Sequence, residues 1–345
     1  MDVQTSRWLI AVLDPRRVSS CCSWQSDPSF LLRMLDLREG RQFIFRSVTL
    51  WKSAILRVPT AAVRQDSLRL KDIVWLPSPE GRGFRADPFG VWHRGQLYVF
   101  VERLDLADER GRIEVLTYSE DLDLLSIDLA LQEPWHLSYP YVFRSGNDHW
   151  MLPEARGAGR LTLYRASSFP LGWRAELTIP MPNGAVDATP LFWKDKWWLF
   201  YCLRQGRSHR TDQLHIAFAD KLVGPWQHHP LNPVRRGLSG CRPGGSPLIG
   251  DGYIDLPVQD ASNGYGGALR RLRIKKLDEW RFEADDYPWL HPPARFAPFN
   301  DGLHTLSSAG GVSLIDVKRV DRPVLARLLT GTVRRISKVR GVPAS

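Results

Sequence analysis

Cysteine is scarce and poorly spaced for chemistry: four in 345 residues, at positions 21, 22, 202 and 241, with neither metal-ligand spacing nor the density of a disulfide scaffold. That argues against a zinc module or a stapled secreted miniprotein and points to reduced thiols. Long apolar runs are missing at the amino terminus. The stretch "WLIAVL", residues 8–13, is bracketed by Asp2 and Asp14 and is too short for a signal-peptide core or a membrane span, so a cytoplasmic location is expected. An excess of one charge is also missing from most of the chain. The net charge is +10, but residues 318–345 carry eight basic residues against Asp321 and account for +7 of it. A nearly balanced body argues against a nucleic-acid-binding groove.

What is present is aromatic and turn-rich. Fourteen Trp, 25 Pro and 27 Gly suit many short strands joined by turns. The prolines Pro88, Pro140, Pro190 and Pro243 are spaced by 52, 50 and 53 residues, and Pro298 follows 55 later. Each of the first four opens a similar unit: a strand, a polar or Gly turn, an aromatic strand such as "QLYVFVE" or "WWLFY", then a strand of period two such as "RLTLYRA". Gly95, Gly146–Asn147 and Gly252 mark hairpins. Units of about fifty residues with three to four strands have the size of propeller blades. The expected fold is therefore all-β, a five-bladed β-propeller, with a short C-terminal helix.

The expected division is an N-terminal extension over 1–71 that partly closes the propeller, the propeller over 72–317, and a basic tail over 318–345. The fifth unit is degenerate, so N-terminal residues should complete it. Residues 8–13 and "DIVWL", 72–76, are candidates, and "QFIFRSVTLW" and "SAILRVPTAAV", within 14–70, could be strands of the closing blade or an irregular extension.

The innermost strand of each blade faces the axis, so polar residues far apart in sequence can converge there. Asp87 begins the innermost strand of the first unit, Asp187 holds nearly the equivalent place in the third, and Glu154 ends the aromatic strand of the second. Converging carboxylates shift one another's pKa and can yield a general acid beside a general base. Asp-Pro is also a common turn element, but Tyr139, Thr189 and Arg242 precede the other prolines, so the turn does not require Asp. Arg242 can bind a substrate anion or form a salt bridge. Glu102 and Tyr139 are candidate substrate-binding residues, and Trp92, Tyr139, Tyr141 and Trp193 could stack on sugars. His304, in "GLHTL", would face the axis from the fifth blade as a buried hydrogen-bonding group; the residues by themselves call for no cofactor.

The motifs "FRADPFG", "HLSYPYVF", "MLPEA", "VDATPLFW", "GPWQHHPLNPV", "RPGG" and "DGLHTL" resemble the propeller domain at the amino terminus of plant glucosamine inositolphosphorylceramide transferases and their bacterial relatives, some of which are joined to formyltransferase-like domains. The resemblance covers about residues 72–317. More distantly, the chain is similar to the five-bladed glycosidases of families 43, 32 and 130, which implies a pocket-floor role for Asp87 and, from family 43, a Ca²⁺ ion or water cluster in the central channel near His304. Family 43 enzymes present Asp, Asp, Glu in chain order, whereas this sequence offers Asp87, Glu154, Asp187. No region outside the propeller is long enough for a transferase domain, so the resemblance implies the propeller and not the transferase activity.

The expected function is a carbohydrate-active, glycosidase-like propeller with paired carboxylates acting on a carbohydrate or glycoconjugate. Alternatives are a non-catalytic glycan-binding module or an interaction scaffold. Within the tail, residues 323–339 place Leu325, Leu328, Leu329, Val333 and Ile336 near one face of a basic helix, which allows peripheral membrane contact.

Overall fold

Aromatic runs such as "KWWLFYCL" are buried on both faces because successive side chains of a strand enter different cores. Trp198 and Phe200 pack between blades three and four. Leu199 and Tyr201 pack between blades two and three. The same division operates in the first blade, where Leu97, Val99 and Val101 face blade five and Phe100 faces blade two. A fifth core joins blades four and five through Leu269, Leu290, Leu306 and Ile315.

The computed structural model describes residues 47–155, 157–181, 184–203 and 212–321. These form five antiparallel sheets around an axis. Blade one is β3 (Gly83–His93), β4 (Gln96–Asp105), β5 (Arg110–Tyr118) and β6 (Leu124–Leu131). Blade two is β7 (Ser138–Ser145), β8 (Asp148–Glu154), β9 (Leu161–Ser168) and β10 (Gly172–Ile179). Blade three holds β11 (Ala185–Trp193), β12 (Lys196–Leu203) and β13 (Gln213–Ala219), with short outer pieces β14 (Gln227–His228) and β15 (Arg235–Arg236). Blade four is β16 (Ser239–Pro243), β17 (Leu248–Ile249), β18 (Ile254–Asp260), β19 (Ala268–Leu277) and β20 (Phe282–Leu290).

Blade five is made from both ends of the described chain: β21 (Leu306–Ala309) and β22 (Val312–Asp321) inside, β1 (Val48–Leu56) and β2 (Ile73–Trp75) outside. The stretch at 72–76 supplies the outermost strand, with Ala54 opposite Trp75 and Leu56 opposite Ile73. Residues 8–13 and the expected helix at 323–339 lie outside the described residues, where the only helical pieces are short 3₁₀ turns. No helix among the described residues is long and apolar enough to cross a membrane.

One irregularity recurs. The register jumps from Ala86 opposite Glu102 to Phe89 opposite Phe100, from Ser138 opposite Glu154 to Tyr141 opposite Leu152, and from Val186 opposite Cys202 to Thr189 opposite Phe200. Each is a bulge with one extra residue on the innermost strand. Its first residue has positive φ: Asp87 at 50°, Tyr139 at 45°, Asp187 at 49°, and Gly240 at 79° in the fourth blade. The equivalents of Asp87 are thus Tyr139, Asp187 and Gly240. The proline register holds for blades one and two but slips by two residues afterwards, where Ala188 and Cys241 occupy the proline's place. Arg242 therefore does not open its blade as Asp87 does; it sits two residues further along the strand.

Candidate active site at the propeller axis

A left-handed backbone at three non-glycine residues is uncommon, and for the bulky Tyr139 it is costly. What holds it is a ring of hydrogen bonds between inner strands. Asp87 Oδ2 accepts the Tyr139 N–H at 3.1 Å. The Tyr139 hydroxyl bonds Thr189 Oγ1 at 3.0 Å and accepts the Gly245 N–H at 2.8 Å, so one phenol ties blade two to blades three and four. Gly245 has φ 138°, and a Cβ there would lie 1.8 Å from the Leu306 carbonyl oxygen, with which blade five completes the ring.

Asp87 is part of a buried group with His304 and Asp316. Asp316, wholly buried, accepts the Asp87 N–H at 3.0 Å, the Thr305 N–H at 3.0 Å and the His304 N–H at 3.2 Å, and its carboxyl also binds His304 Nδ1. Thr305 Oγ1 donates to Asp87 Oδ1 at 3.0 Å, and His304 Nε2 lies 3.5 Å from the same oxygen. The Trp51 indole stacks on the imidazole with centroids 3.8 Å apart. Burial pushes Asp87 up to about 6, with Asp316 and Asp187 adding and His304 opposing. Burial alone would lower His304, but the Asp316 and Asp87 carboxylates outweigh it and leave the imidazole raised.

Asp87, His304 and Asp316 bring ligand atoms within 4.8 Å of one another. They nevertheless do not fit a calcium site. Both Asp316 oxygens and both Asp87 oxygens already accept hydrogen bonds, which leaves His304 Nε2 where Ca²⁺ takes six to eight oxygens.

The second group surrounds Arg242, which forks onto both oxygens of Asp187 through Nε and Nη2. Gln259 Nε2 adds a bond to Asp187 Oδ2 at 2.9 Å, and Arg242 Nη2 stands 3.7 Å from Glu154 Oε2. That Glu154 oxygen is buried and accepts no hydrogen bond. Burial, then the charge of Asp187, pushes Glu154 up to about 8 against the pull of Arg242. Glu102 is also buried and raised well above its ordinary value, by burial first and then by Asp87 and Glu154. His136 Nδ1 accepts the Gly111 N–H at 2.9 Å, so its proton sits on Nε2, which lies 3.3 Å from Glu102.

The fold thus brings Asp87, Glu102, Tyr139, Glu154, Asp187, Arg242 and His304 to one end of the inner strands. It does not bring Trp92 or Trp193 there. Trp193 is six residues along β11 from Asp187, about 20 Å at the usual rise per residue, and is buried in the core between blades three and four. Trp92 donates Nε1 to the Ala309 carbonyl at 2.9 Å and packs between blades five and one. Tyr141 is buried between blades one and two. Beside the expected Tyr139, the cluster has the aromatics Trp51 and Tyr265, which the sequence reading missed. Tyr265 is 48% exposed, lies edge-on to His304 at 5.3 Å, and has the Arg242 guanidinium 4.9 Å from its ring centre. Asp316 was missed too; its signal was a lone acid in the apolar alternation "VSLIDV".

A family profile described as glucosamine inositolphosphorylceramide transferase 1, N-terminal, matches residues 77–291. The protein of that name from Oryza sativa subsp. indica is 33% identical over 205 residues, 58% of this chain and 27% of the rice protein. Its Arabidopsis thaliana counterpart is 31% identical over 249 residues, 69% of this chain and 32% of that protein. The chain therefore spans a third or less of these curated relatives. Among solved structures, Zg3597, a family 117 glycoside hydrolase from the marine bacterium Zobellia galactanivorans, matches with TM-score 0.51 and 17% identity over 79% of this chain and 91% of that one. At that identity the likeness is one of fold.

Proposed function

The chain belongs to the family of the glucosamine inositolphosphorylceramide transferase 1 N-terminal region, and from that premise we propose that it is a carbohydrate-active propeller whose axial carboxyls act on a glycosidic bond. The observation that carries this reading is Glu154: a buried carboxyl whose Oε2 accepts no hydrogen bond and lies 3.7 Å from Arg242, set against the Asp187 carboxyl and near Asp87, a carboxyl of different acidity. Glu154, raised to about 8, keeps its proton at neutral pH and donates it to the leaving oxygen. Asp87, at about 6, is ionised there and serves as base or nucleophile. Asp187, clamped by Arg242 and Gln259, supplies the negative charge that keeps Glu154 protonated.

Activity should follow a bell between about pH 6 and pH 8, since only there do ionised Asp87 and protonated Glu154 coexist. A screen of aryl glycosides, followed by pH profiles of the active one, tests this. Asp87→Asn and Glu154→Gln should each lower turnover by roughly 10²-fold or more. Asparagine can still accept from Tyr139 N–H and donate to Thr305, so Asp87→Asn should fold; full turnover in it would remove Asp87 from the chemistry. A second reading is favoured by the Asp187 clamp, which withdraws one acid from catalysis: the cluster binds a glycan without cleaving it. Binding that weakens in Asp87→Asn, with no glycoside cleaved, would select that reading.

A further inference from the structure

The turns at the opposite end of the strands frame a groove of about 380 Å³ between blades three and four. Its lining includes Lys196, Asp220, Gln227, His228, Glu279 and Trp280. Trp280 is 75% exposed, more than any other large apolar side chain among the described residues. The turn that presents it is tied down on both sides. Asp278 Oδ1 accepts the N–H groups of Trp280 at 3.0 Å and Arg281 at 2.8 Å, while Oδ2 accepts Arg281 Nε at 2.7 Å. Lys196 Nζ then bridges Asp220 at 2.7 Å and Glu279 at 3.0 Å, linking this blade-four turn to blade three.

We propose that this groove is a second carbohydrate-binding site, which takes a neutral oligosaccharide by stacking one sugar on Trp280. A large aromatic left in water on a pinned turn is preorganised, so a ligand meets it without an added ordering cost. Its flat face suits the C–H face of a pyranose, and the amide, imidazole and carboxylates beside it suit the hydroxyls. A protein hot spot would need Trp280 ringed by dry apolar contacts; the groove beside it includes Phe218, Pro225 and Pro230 but also carries Lys196, Asp220, Gln227, His228 and Glu279. Asp220, Asp278 and Glu279 against Lys196 and Arg281 leave a net negative charge around Trp280, which disfavours an anionic glycan. Asp220 is held below its ordinary pKa first by its hydrogen bond to Lys196, and Glu279 first by a backbone hydrogen bond, so both stay ionised as acceptors for sugar hydroxyls.

The site stands apart from the axial acids, and the test separates the two. Full-length protein is titrated with cellohexaose, xylohexaose, mannohexaose and chitohexaose by calorimetry and tryptophan fluorescence. At least one probe should bind, Trp280→Ala should weaken it tenfold or more at unchanged melting temperature, Trp280→Tyr should retain most of it, and the same Trp280→Ala loss should appear when Asp87→Asn is already present, whatever the axis itself binds. The proposal fails if no probe binds the wild type, if Trp280→Ala binds equally well, or if Trp280→Ala makes no difference once Asp87→Asn is present, which would place the sugar on the axis.

Discussion

A carboxyl that folding drives up in pKa keeps its proton in the native state at a pH where the unfolded chain has lost it. Glu154 moves from 4.5 to about 8, and Asp87 and Glu102 move the same way. The stability these groups allow is therefore complete below about pH 4 and falls as pH rises towards 8. His304, raised by Asp316 and Asp87, changes in the same direction. Glu154→Gln removes the ionisable group while retaining an acceptor, so it should raise the melting temperature at pH 8 and leave it nearly unchanged at pH 4, with about 2–4 °C for each kcal/mol. A scan of both proteins across pH 4–8 checks this. Arg242 is the opposite case. Arg242→Met strands a buried Asp187 and should cost about 3–5 kcal/mol in denaturant unfolding, much of it recovered in the double variant with Asp187→Asn.

The bulged inner strand is the element that makes the site. Its extra residue re-aims Asp87 and Asp187, and lets Tyr139, still packed on Phe89 between blades one and two, reach Thr189 and Gly245 with its hydroxyl. Period two and the aromatic runs were readable because each strand's pattern is local. The bulge was not, since its proline marks only Pro88 and Pro140 and is replaced by Ala188 and Cys241 later in the chain. The same slip placed Arg242 at a blade start, although its pairing with an acid was among the roles the sequence allowed. Gly245 links the elements: it donates to the Tyr139 hydroxyl and adjoins Leu306 where a Cβ has no room. Gly245→Ala should destabilise the protein by roughly 2–4 kcal/mol, measured by urea unfolding, because φ 138° and the clash both oppose it.

At the scale of the whole molecule, ring closure depends on residues outside the segment that matches the family. That match spans 77–291, whereas β1, β2, β21 and β22 all lie beyond it. Ala54, Ile55 and Leu56 are fully buried or nearly so and fill the cores on either side of blade five. Protein beginning at residue 77 should therefore lose its cooperative thermal transition, which calorimetry would show directly. Cooperative melting like that of the full chain would mean that closure is unnecessary.

The sequence by itself determined the number of blades, the strands that fill two cores at once, and the three acids available from successive blades, because spacing and alternation are properties of a local stretch of chain. Only the tertiary structure decided which acid is clamped and which keeps its proton. Asp87 meets Thr305 across 218 residues and Asp187 meets Arg242 across 55, and a carboxyl's acidity depends on such distances and on the water excluded around it, neither of which is written in the neighbouring residues.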